Sequence, residues 1–85
     1  MSSRGVFVYV VRCNDGTLYT GWTNNLEKRM EAHNAGTGSR YTRGRRPVEL
    51  VYIEKMSLKG EALRREREIK KMPRATKLLL IEGEY

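Results

Sequence analysis

The sequence contains almost none of the residues that build covalent or metal cross-links. Its 85 residues include one cysteine, Cys13, and one histidine, His33. A single cysteine cannot form an intrachain disulfide, and one cysteine with one histidine cannot supply the usual Cys/His zinc site. The thin hydrophobic core of so short a chain must therefore hold the fold unaided, and we expect Cys13 to be an ordinary free thiol on a strand.

Long hydrophobic runs are also missing. The longest run, Val6 to Val11, has six residues, whereas a helix needs about 20 apolar residues to cross a bilayer. The residues that precede this run, Met1 to Gly5, are too few to form a secretory signal. We therefore expect a cytoplasmic protein without a membrane anchor.

Positive charge, in contrast, is in excess. Lysine and arginine total 17 against 10 aspartate and glutamate residues, which gives a net charge of +7. In a domain of this size such an excess points to a polyanionic partner, although a well-solvated surface can have the same composition.

Part of this charge is concentrated in a glycine-containing segment, residues 36–47, which has no acidic residue. The pattern predicts a loop whose arginines bind the phosphates of a nucleic-acid backbone in a salt-sensitive, sequence-independent way. The alternative is a solvated loop that only keeps the protein soluble. The four arginines of this segment are Arg40, Arg43, Arg45 and Arg46.

Three segments have the composition of β-strands, rich in β-branched and aromatic residues. The pair Asp15-Gly16 favours a tight hairpin turn between the first two. Gly21, near the end of the second, indicates a bulge or a close backbone approach. The predicted strands are Val6–Arg12, Thr17–Trp22 and Val48–Glu54.

Three helices are predicted from residues that start and stop helices. Residues 23–25, Thr-Asn-Asn, cap the first helix, and Gly36 ends it. Ser57 is the predicted cap of the second, Pro73 interrupts it, and Gly83 stops the third. The predicted helices are Leu26–Ala35, Ser57 to about Met72, and Arg74–Ile81.

The order of these elements predicts an α+β fold. A chain of 85 residues is long enough for one domain, so we expect residues 1–85 to form a single unit. Its architecture would be a small three-stranded antiparallel sheet, a hairpin plus a third strand, flanked by about three helices.

Charged side chains interrupt the apolar faces of two predicted helices. At about 100° per residue, Arg29 and His33 fall on the apolar side of the first helix, one turn apart. Glu66 falls within the apolar arc of the second helix. Arg65 falls near the centre of that arc on an ideal wheel, although a side chain of this length can extend to solvent. A buried charge needs a partner, so Arg29 and Glu66 either pair with each other or belong to a site.

His33, Tyr9 and Tyr19 also have structural interpretations. A histidine near a helix end can simply be hydrogen-bonded, and both tyrosines can be half-buried strand residues. What distinguishes these three residues is their order and spacing together with Arg29 and Glu66.

That order and spacing resemble the GIY-YIG nuclease superfamily. The residues Phe7-Val8-Tyr9 resemble its first motif, and Tyr19-Thr20-Gly21, ten residues later across the hairpin, resemble its second. Residues 23–29 look like the capped helix that carries the family's arginine, with His33 one turn further on. Residues 61–66 resemble the helix that carries its metal-binding glutamate.

The resemblance covers residues 6–81. Within this superfamily, the chain looks most similar to the small stand-alone bacterial UPF0213 proteins. Residues 41–52 are especially similar to those proteins, and also to the nuclease subunit that cuts branched DNA in eukaryotes. A single GIY-YIG nuclease-like domain is therefore expected.

Four positions depart from the family pattern. Phe7 and Thr20 replace a glycine and an isoleucine of the two motifs. Trp22 stands where the excision-repair nuclease domain has a lysine, and no asparagine follows Glu66 as it does in many relatives. The missing asparagine favours the alternative of a nucleic-acid-binding module that kept the fold but lost most catalysis.

The resemblance implies hydrolysis of DNA phosphodiester bonds, in repair or recombination, with one divalent ion. The ion would be Mg²⁺ or Mn²⁺ bound through Glu66, and Arg29 would hold the scissile phosphate. The general base would be Tyr9 in preference to Tyr19, or His33 acting directly or through a tyrosine.

Tyr41 is a further candidate for orienting the phosphate, ranked below these residues. The resemblance implies that DNA is the partner, with RNA as an open alternative. A larger protein partner that supplies specificity is a third consideration, since a nuclease-like domain of this size can also dock on a larger protein.

Overall fold

The computed structural model describes residues 5–84, and its centre is a three-stranded antiparallel sheet. The strands are β1 (Val6–Arg12), β2 (Leu18–Thr23) and β3 (Glu49–Met56), in the order β2-β1-β3. The helices are α1 (Leu26–Ala35), α2 (Arg40–Arg43), α3 (Lys59–Lys71) and α4 (Arg74–Glu82). This arrangement confirms the predicted α+β class. None of the helices within residues 5–84 is long and apolar enough to cross a membrane.

β1 occupies the middle of the sheet because its side chains are apolar on both faces. Val8, Tyr9, Val10 and Val11 have no exposed surface. A strand of this kind has to be covered on both sides, and it pairs antiparallel with β2 along one edge and with β3 along the other.

The alternation of side chains along β1 divides the hydrophobic core into two clusters. The cluster under α3 and α4 contains Val6, Val8, Val10, Ala62, Ile69 and Leu80. The cluster under α1 contains Tyr9, Val11, Cys13 and Val48, with Leu26 and Met30 packed against it. Cys13 is a buried free thiol, as expected, but it lies one residue beyond the end of β1 and not on the strand. Tyr9 brings a hydroxyl group into the second cluster, and a buried hydroxyl group needs hydrogen-bond partners.

The predicted limits of α1 are confirmed. The Asn25 side chain accepts a hydrogen bond of 3.1 Å from the backbone N–H of Lys28, and Gly36 ends the helix with a φ of 90°. A left-handed residue at this position is most easily a glycine. Since α1 begins directly after β2, Arg29 lies one turn into a helix that starts at the end of the hairpin.

The segment predicted to be a loop, residues 36–47, contains the one-turn helix α2. The Ser39 hydroxyl accepts a hydrogen bond of 3.1 Å from the backbone N–H of Thr42 and thereby caps this turn. The side chain of Thr42 is completely buried. The loop prediction is therefore wrong over Arg40–Arg43, because a serine cap and a buried threonine stabilise a turn that the glycine and arginine content does not indicate.

The predicted cap of the second long helix is also wrong. Leu58, and not Ser57, stands at the N-cap of α3, and its backbone N–H donates to the Glu61 carboxylate at 3.4 Å. A glutamate one turn into a helix can reach back to an amide at the helix start in this way. β3 extends to Met56, beyond its predicted end at Glu54.

Arg65 does not extend to solvent, because it pairs with β3. Its Nε and Nη2 donate to the Glu54 carboxylate at 3.0 and 2.8 Å, and the Tyr52 hydroxyl group donates to the same carboxylate. This two-pronged contact joins α3 to β3. Because Arg65 directly precedes Glu66 in the chain, this contact also fixes the turn of α3 on which Glu66 lies.

Candidate active site

Arg29 and Glu66 line the same cavity although they belong to different helices. The cavity has a volume of about 290 Å³ and lies beside the end of β2, where Trp22, Thr23 and Asn24 complete its wall. β2 is an edge strand, with α1 over one face of the sheet and α3 over the other. The guanidinium and the carboxylate are therefore brought together around the edge of the sheet.

The two charges do not neutralise each other. Arg29 Nε donates to the Tyr9 hydroxyl oxygen at 3.0 Å, and Glu66 pairs with Lys70 at 3.5 Å, one turn further along α3. The alternative in which Arg29 and Glu66 form an ion pair is therefore wrong. Because Lys70 is half exposed, its contact with Glu66 is a weak surface pair that an incoming ligand can replace.

Arg29 is held through Nε, the guanidinium nitrogen nearest its backbone. Burial alone would lower its pKa, but the hydroxyl groups of Tyr9 and Tyr19 outweigh burial and hold the pKa of Arg29 above its ordinary value. The side chain therefore stays charged at any physiological pH. Since Tyr9 binds Nε, the two Nη groups remain as the part of the fork that suits a phosphate.

A buried chain of hydrogen bonds supports this arginine. The Tyr9 hydroxyl lies 2.7 Å from His33 Nε2, and His33 Nδ1 lies 2.8 Å from Thr42 Oγ1. Burial lowers the pKa of His33, and the charge of Arg29 lowers it further, so the imidazole is neutral at pH 7. Burial raises the pKa of Tyr9 and outweighs the opposite effect of Arg29, so the phenol is protonated.

Two glycines leave the space that this chain occupies. A Cβ atom at Gly21 would lie 2.6 Å from the Tyr9 hydroxyl oxygen, and one at Gly38 would lie 2.5 Å from His33 Nδ1. Both distances are shorter than any ordinary Cβ contact. The close approach predicted at Gly21 is confirmed, and the approaching group is the tyrosine hydroxyl that binds Arg29.

Tyr19 lies beside the buried chain and is only half buried. Its ring meets the edge of the His33 ring at a centroid distance of 5.4 Å and stacks on Tyr41 at 5.7 Å. The expectation of a half-buried strand tyrosine is confirmed for Tyr19 and wrong for Tyr9, which has no exposed surface. The difference arises because Tyr9 lies on the central strand beneath α1, whereas Tyr19 lies on the edge strand.

The arginines of residues 36–47 make two separate sets of contacts. Arg45 donates from Nε to Asp15 at 3.0 Å and places its guanidinium 4.0 Å from the centre of the Tyr41 ring. The stacked pair of Tyr41 and Tyr19 thus connects Arg45 to the candidate site. Asp15 lies in the hairpin turn, outside residues 36–47. The composition of that segment, which has no acidic residue, therefore gave no sign of this ion pair.

The other three arginines of this segment are exposed. Arg43 and Arg46 line a separate cavity of about 480 Å³ together with Asn34 and Pro47. Arg46 Nε donates to the Arg43 carbonyl oxygen at 2.9 Å, which anchors one arginine to the backbone of the other. Arg40, at the start of α2, is exposed.

The donor set of the cavity suits a hard divalent cation held by few protein ligands. Within residues 5–84, no three side chains of the types that bind metals come close enough to hold an ion between them. The cavity wall contributes one carboxylate, that of Glu66. Mg²⁺ fits this set, because it keeps several waters and often uses one or two carboxylates together with a substrate phosphate.

Two residues of the site were not identified from the sequence. Lys70 follows Glu66 by one helical turn, so the contact between them could have been predicted from the sequence. Thr42 follows Ser39 at the spacing of a helix cap, but no sequence pattern indicates that its hydroxyl group is buried against His33.

The comparison with known protein families agrees with the fold. The family model described as the GIY-YIG catalytic domain matches residues 5–78. The chain is 58% identical over 77 residues to a UPF0213 protein of Clostridium perfringens, a match that covers 91% of this chain and 83% of that protein. A UPF0213 protein of Staphylococcus haemolyticus is 57% identical, with 89% and 93% covered.

Two solved structures have the same architecture. The solution NMR structure of a UPF0213 protein from Bacillus halodurans is 39% identical, with a TM-score of 0.61 and coverage of 93% of this chain and 84% of that one. A protein of E. faecalis, also solved by NMR, is 34% identical, with a TM-score of 0.61 and coverage of 94% and 88%. The chain belongs to the GIY-YIG nuclease superfamily and, within it, to the UPF0213 proteins.

The depressed pKa of His33 predicts how stability depends on pH. In the unfolded chain the histidine binds a proton near pH 6.5, whereas the folded protein binds it only at lower pH. Stability is therefore full above pH 6.5 and falls as the pH is lowered through that value towards the folded pKa. Urea unfolding at pH 7.5 and 5.5 should show a lower free energy of unfolding at pH 5.5.

His33 is the only histidine, which makes the control simple. The variant His33→Gln should be less stable than the native protein at pH 7.5 but should lose less stability between pH 7.5 and 5.5. An equal loss in both proteins would show that the histidine is not the titrating group.

Proposed function

We propose that this protein is a metal-dependent endonuclease that hydrolyses phosphodiester bonds of DNA. The observation that carries the proposal is the meeting of Arg29 and Glu66 in one cavity, each from a different helix and neither neutralised by the other. A cation and an anion held apart in this way can bind the two parts of one ligand, a phosphate and a divalent ion.

Arg29 is proposed to bind the scissile phosphate. Its inner nitrogen is fixed by Tyr9, so its planar fork has a defined orientation before a substrate arrives. Two parallel N–H donors fit two phosphate oxygens, and their charge stabilises the extra negative charge of the transition state. An interaction prepared in advance requires little reorganisation during the reaction.

Glu66 is proposed to hold the divalent ion. When bound, Mg²⁺ or Mn²⁺ would supply Lewis-acid stabilisation of negative charge on the leaving oxygen. The carboxylate is only 15% exposed and its present partner is a half-exposed lysine. Glu66 can therefore exchange Lys70 for a metal ion, because the displaced lysine is already half exposed to solvent.

The general base is proposed to be Tyr19, and this revises the preference for Tyr9. Tyr9 and His33 have no exposed surface, and a base that activates water has to reach that water. Burial also keeps the Tyr9 phenol protonated. Tyr19 is half exposed, lies next to the same histidine ring, and has Lys70 Nζ 6.0 Å from its ring centre.

The arginines around α2 are proposed to bind the substrate backbone on either side of the cleaved bond. Arg45 and Tyr41 lie next to the site through the stacking of Tyr41 on Tyr19. The remaining arginines, Arg40, Arg43 and Arg46, are exposed. Guanidinium groups on exposed positions bind phosphates without reading bases, so we propose binding that is independent of sequence, to DNA in the first place.

The variant Glu66→Gln tests the proposed catalysis. It keeps the size of the side chain but removes the charge that holds a cation, so cleavage of single-stranded, duplex and branched DNA with Mg²⁺ or Mn²⁺ should fall by about 100-fold or more. The rate of product formation on denaturing gels measures the effect.

The matched control is Glu68→Gln, a change of the same kind at an exposed glutamate on the same helix. It should cleave at the native rate. If the native protein binds the same DNA but cleaves none of it with either ion, the domain is a binding module and the proposed catalysis is wrong.

Salt dependence tests the role of the arginines. Each phosphate contact contributes roughly 0.7 to 0.9 to the slope of log affinity against log salt. The double variant Arg40→Gln with Arg43→Gln should weaken binding at low salt and reduce this slope by about 1 to 2. Fluorescence anisotropy of a labelled oligonucleotide measures both quantities.

The control for the salt experiment is Arg74→Gln, an exposed arginine at the start of α4. It should leave the slope nearly unchanged. Equal slopes for the native protein and the double variant would remove these two arginines from the nucleic-acid interface.

A further inference from the structure

A continuous series of hydrogen bonds leads from α2 through the interior to Arg29. Ser39 Oγ lies 2.9 Å from Thr42 Oγ1, which lies 2.8 Å from His33 Nδ1. His33 Nε2 lies 2.7 Å from the Tyr9 hydroxyl, which accepts from Arg29 Nε at 3.0 Å. The three central side chains have no exposed surface, so each of their protons needs an acceptor within the protein.

The direction of the protons follows from counting donors, starting at Arg29. A guanidinium Nε–H can only donate, so the Tyr9 oxygen is the acceptor of that bond. Within residues 5–84, the other hydrogen-bond partner of this hydroxyl is His33 Nε2. The Tyr9 proton is therefore donated to Nε2, which must carry no proton.

The other nitrogen of the imidazole ring, Nδ1, faces Thr42. A neutral histidine has one protonated nitrogen, so the proton lies on Nδ1 and is donated to Thr42 Oγ1. The Thr42 proton then has acceptors on Ser39, whose carbonyl oxygen lies 3.4 Å away and whose hydroxyl oxygen lies 2.9 Å away. In this order every side-chain proton of the three buried residues, Tyr9, His33 and Thr42, has an acceptor.

The reverse order leaves one proton without an acceptor. If His33 carried its proton on Nε2, both neighbours of the Tyr9 oxygen would be donors, and the proton of a fully buried phenol would be unpaired. An unsatisfied buried donor costs about 1–3 kcal/mol. The order with a protonated Nδ1 is the one in which Thr42 has to accept.

We propose that Thr42 is a positioning residue whose hydroxyl accepts the Nδ1 proton of His33 and so stabilises the tautomer that the contact between Tyr9 and Arg29 requires. Thr42 does not line the cavity, and its side chain bonds to His33 and Ser39, so it acts through the histidine and the tyrosine. Its effect on catalysis rests on the proposed nuclease function, whereas its effect on the tautomer does not.

The first experiment reads the tautomer directly in the native protein. Because the chain has one histidine, the ring nitrogens of ¹⁵N-labelled protein give unambiguous signals in long-range ¹H–¹⁵N spectra. At pH 7.5, without metal or DNA, we expect a neutral ring with the proton on Nδ1. A ring with its proton on Nε2, or a charged ring, would overturn the proposal.

The second experiment compares two variants of the threonine. The variant Thr42→Val keeps the shape and removes the acceptor, so the Nδ1 tautomer should be lost or mixed with the other. The variant Thr42→Ser keeps the acceptor and should retain it. An unchanged tautomer in Thr42→Val would overturn the proposal. If that variant does not fold, the native tautomer decides: a proton on Nδ1 requires Thr42 to accept it, and a proton on Nε2 overturns the proposal.

The catalytic consequence is measured on the same proteins. Thr42→Val should lower kcat by on the order of tenfold to 100-fold, with a smaller change in KM, and Thr42→Ser should restore it. A change in KM alone would show that the residue affects binding and not positioning. If the native protein cleaves no DNA, the proposed function fails, but the tautomer measurement stands unaffected.

Discussion

The burial of one hydroxyl group, that of Tyr9, is the constraint on which the candidate site depends. Tyr9 lies on the central strand beneath α1 and has no exposed surface. A buried hydroxyl group without partners costs the protein more free energy than most single contacts contribute. Its partners are His33 and Arg29, both from α1. The strand and the helix are thereby fixed relative to each other, and the guanidinium reaches the edge of the sheet in one orientation.

Neighbouring features can be understood as adaptations to this hydroxyl group. Gly21 and Gly38 provide the space for the tyrosine oxygen and for the imidazole, and the short helix α2 brings Thr42 to the other side of the ring. On the opposite face, the pairing of Arg65 with Glu54 fixes α3 to β3. Glu66 is thus placed from one side of the sheet and Arg29 from the other, with the edge strand between them.

Much of this arrangement could be predicted from the sequence. The order of the elements, the limits of α1 and the position of Gly21 followed from hydrophobic pattern, capping residues and turn residues, which are local signals. Arg29 and Glu66 could be predicted as site residues because a charged side chain on an apolar helix face needs a partner. Their separate partners, Tyr9 and Lys70, could not be chosen over direct pairing, because that choice depends on which helix faces which side of the sheet. The turn at α2 was missed because its stability comes from a buried threonine that only the tertiary structure reveals.

The central claim is that Glu66 and Arg29 form one site for a divalent ion and a phosphate at the edge of β2. Titration of ¹⁵N-labelled protein with Mn²⁺ tests it most directly, because the paramagnetic ion broadens the amide signals of nearby residues. In the presence of a short single-stranded oligonucleotide, broadening should centre on Glu66 and reach Trp22, Asn24 and Arg29, and it should disappear in Glu66→Gln. Broadening centred elsewhere, or unchanged in the variant, would contradict the account.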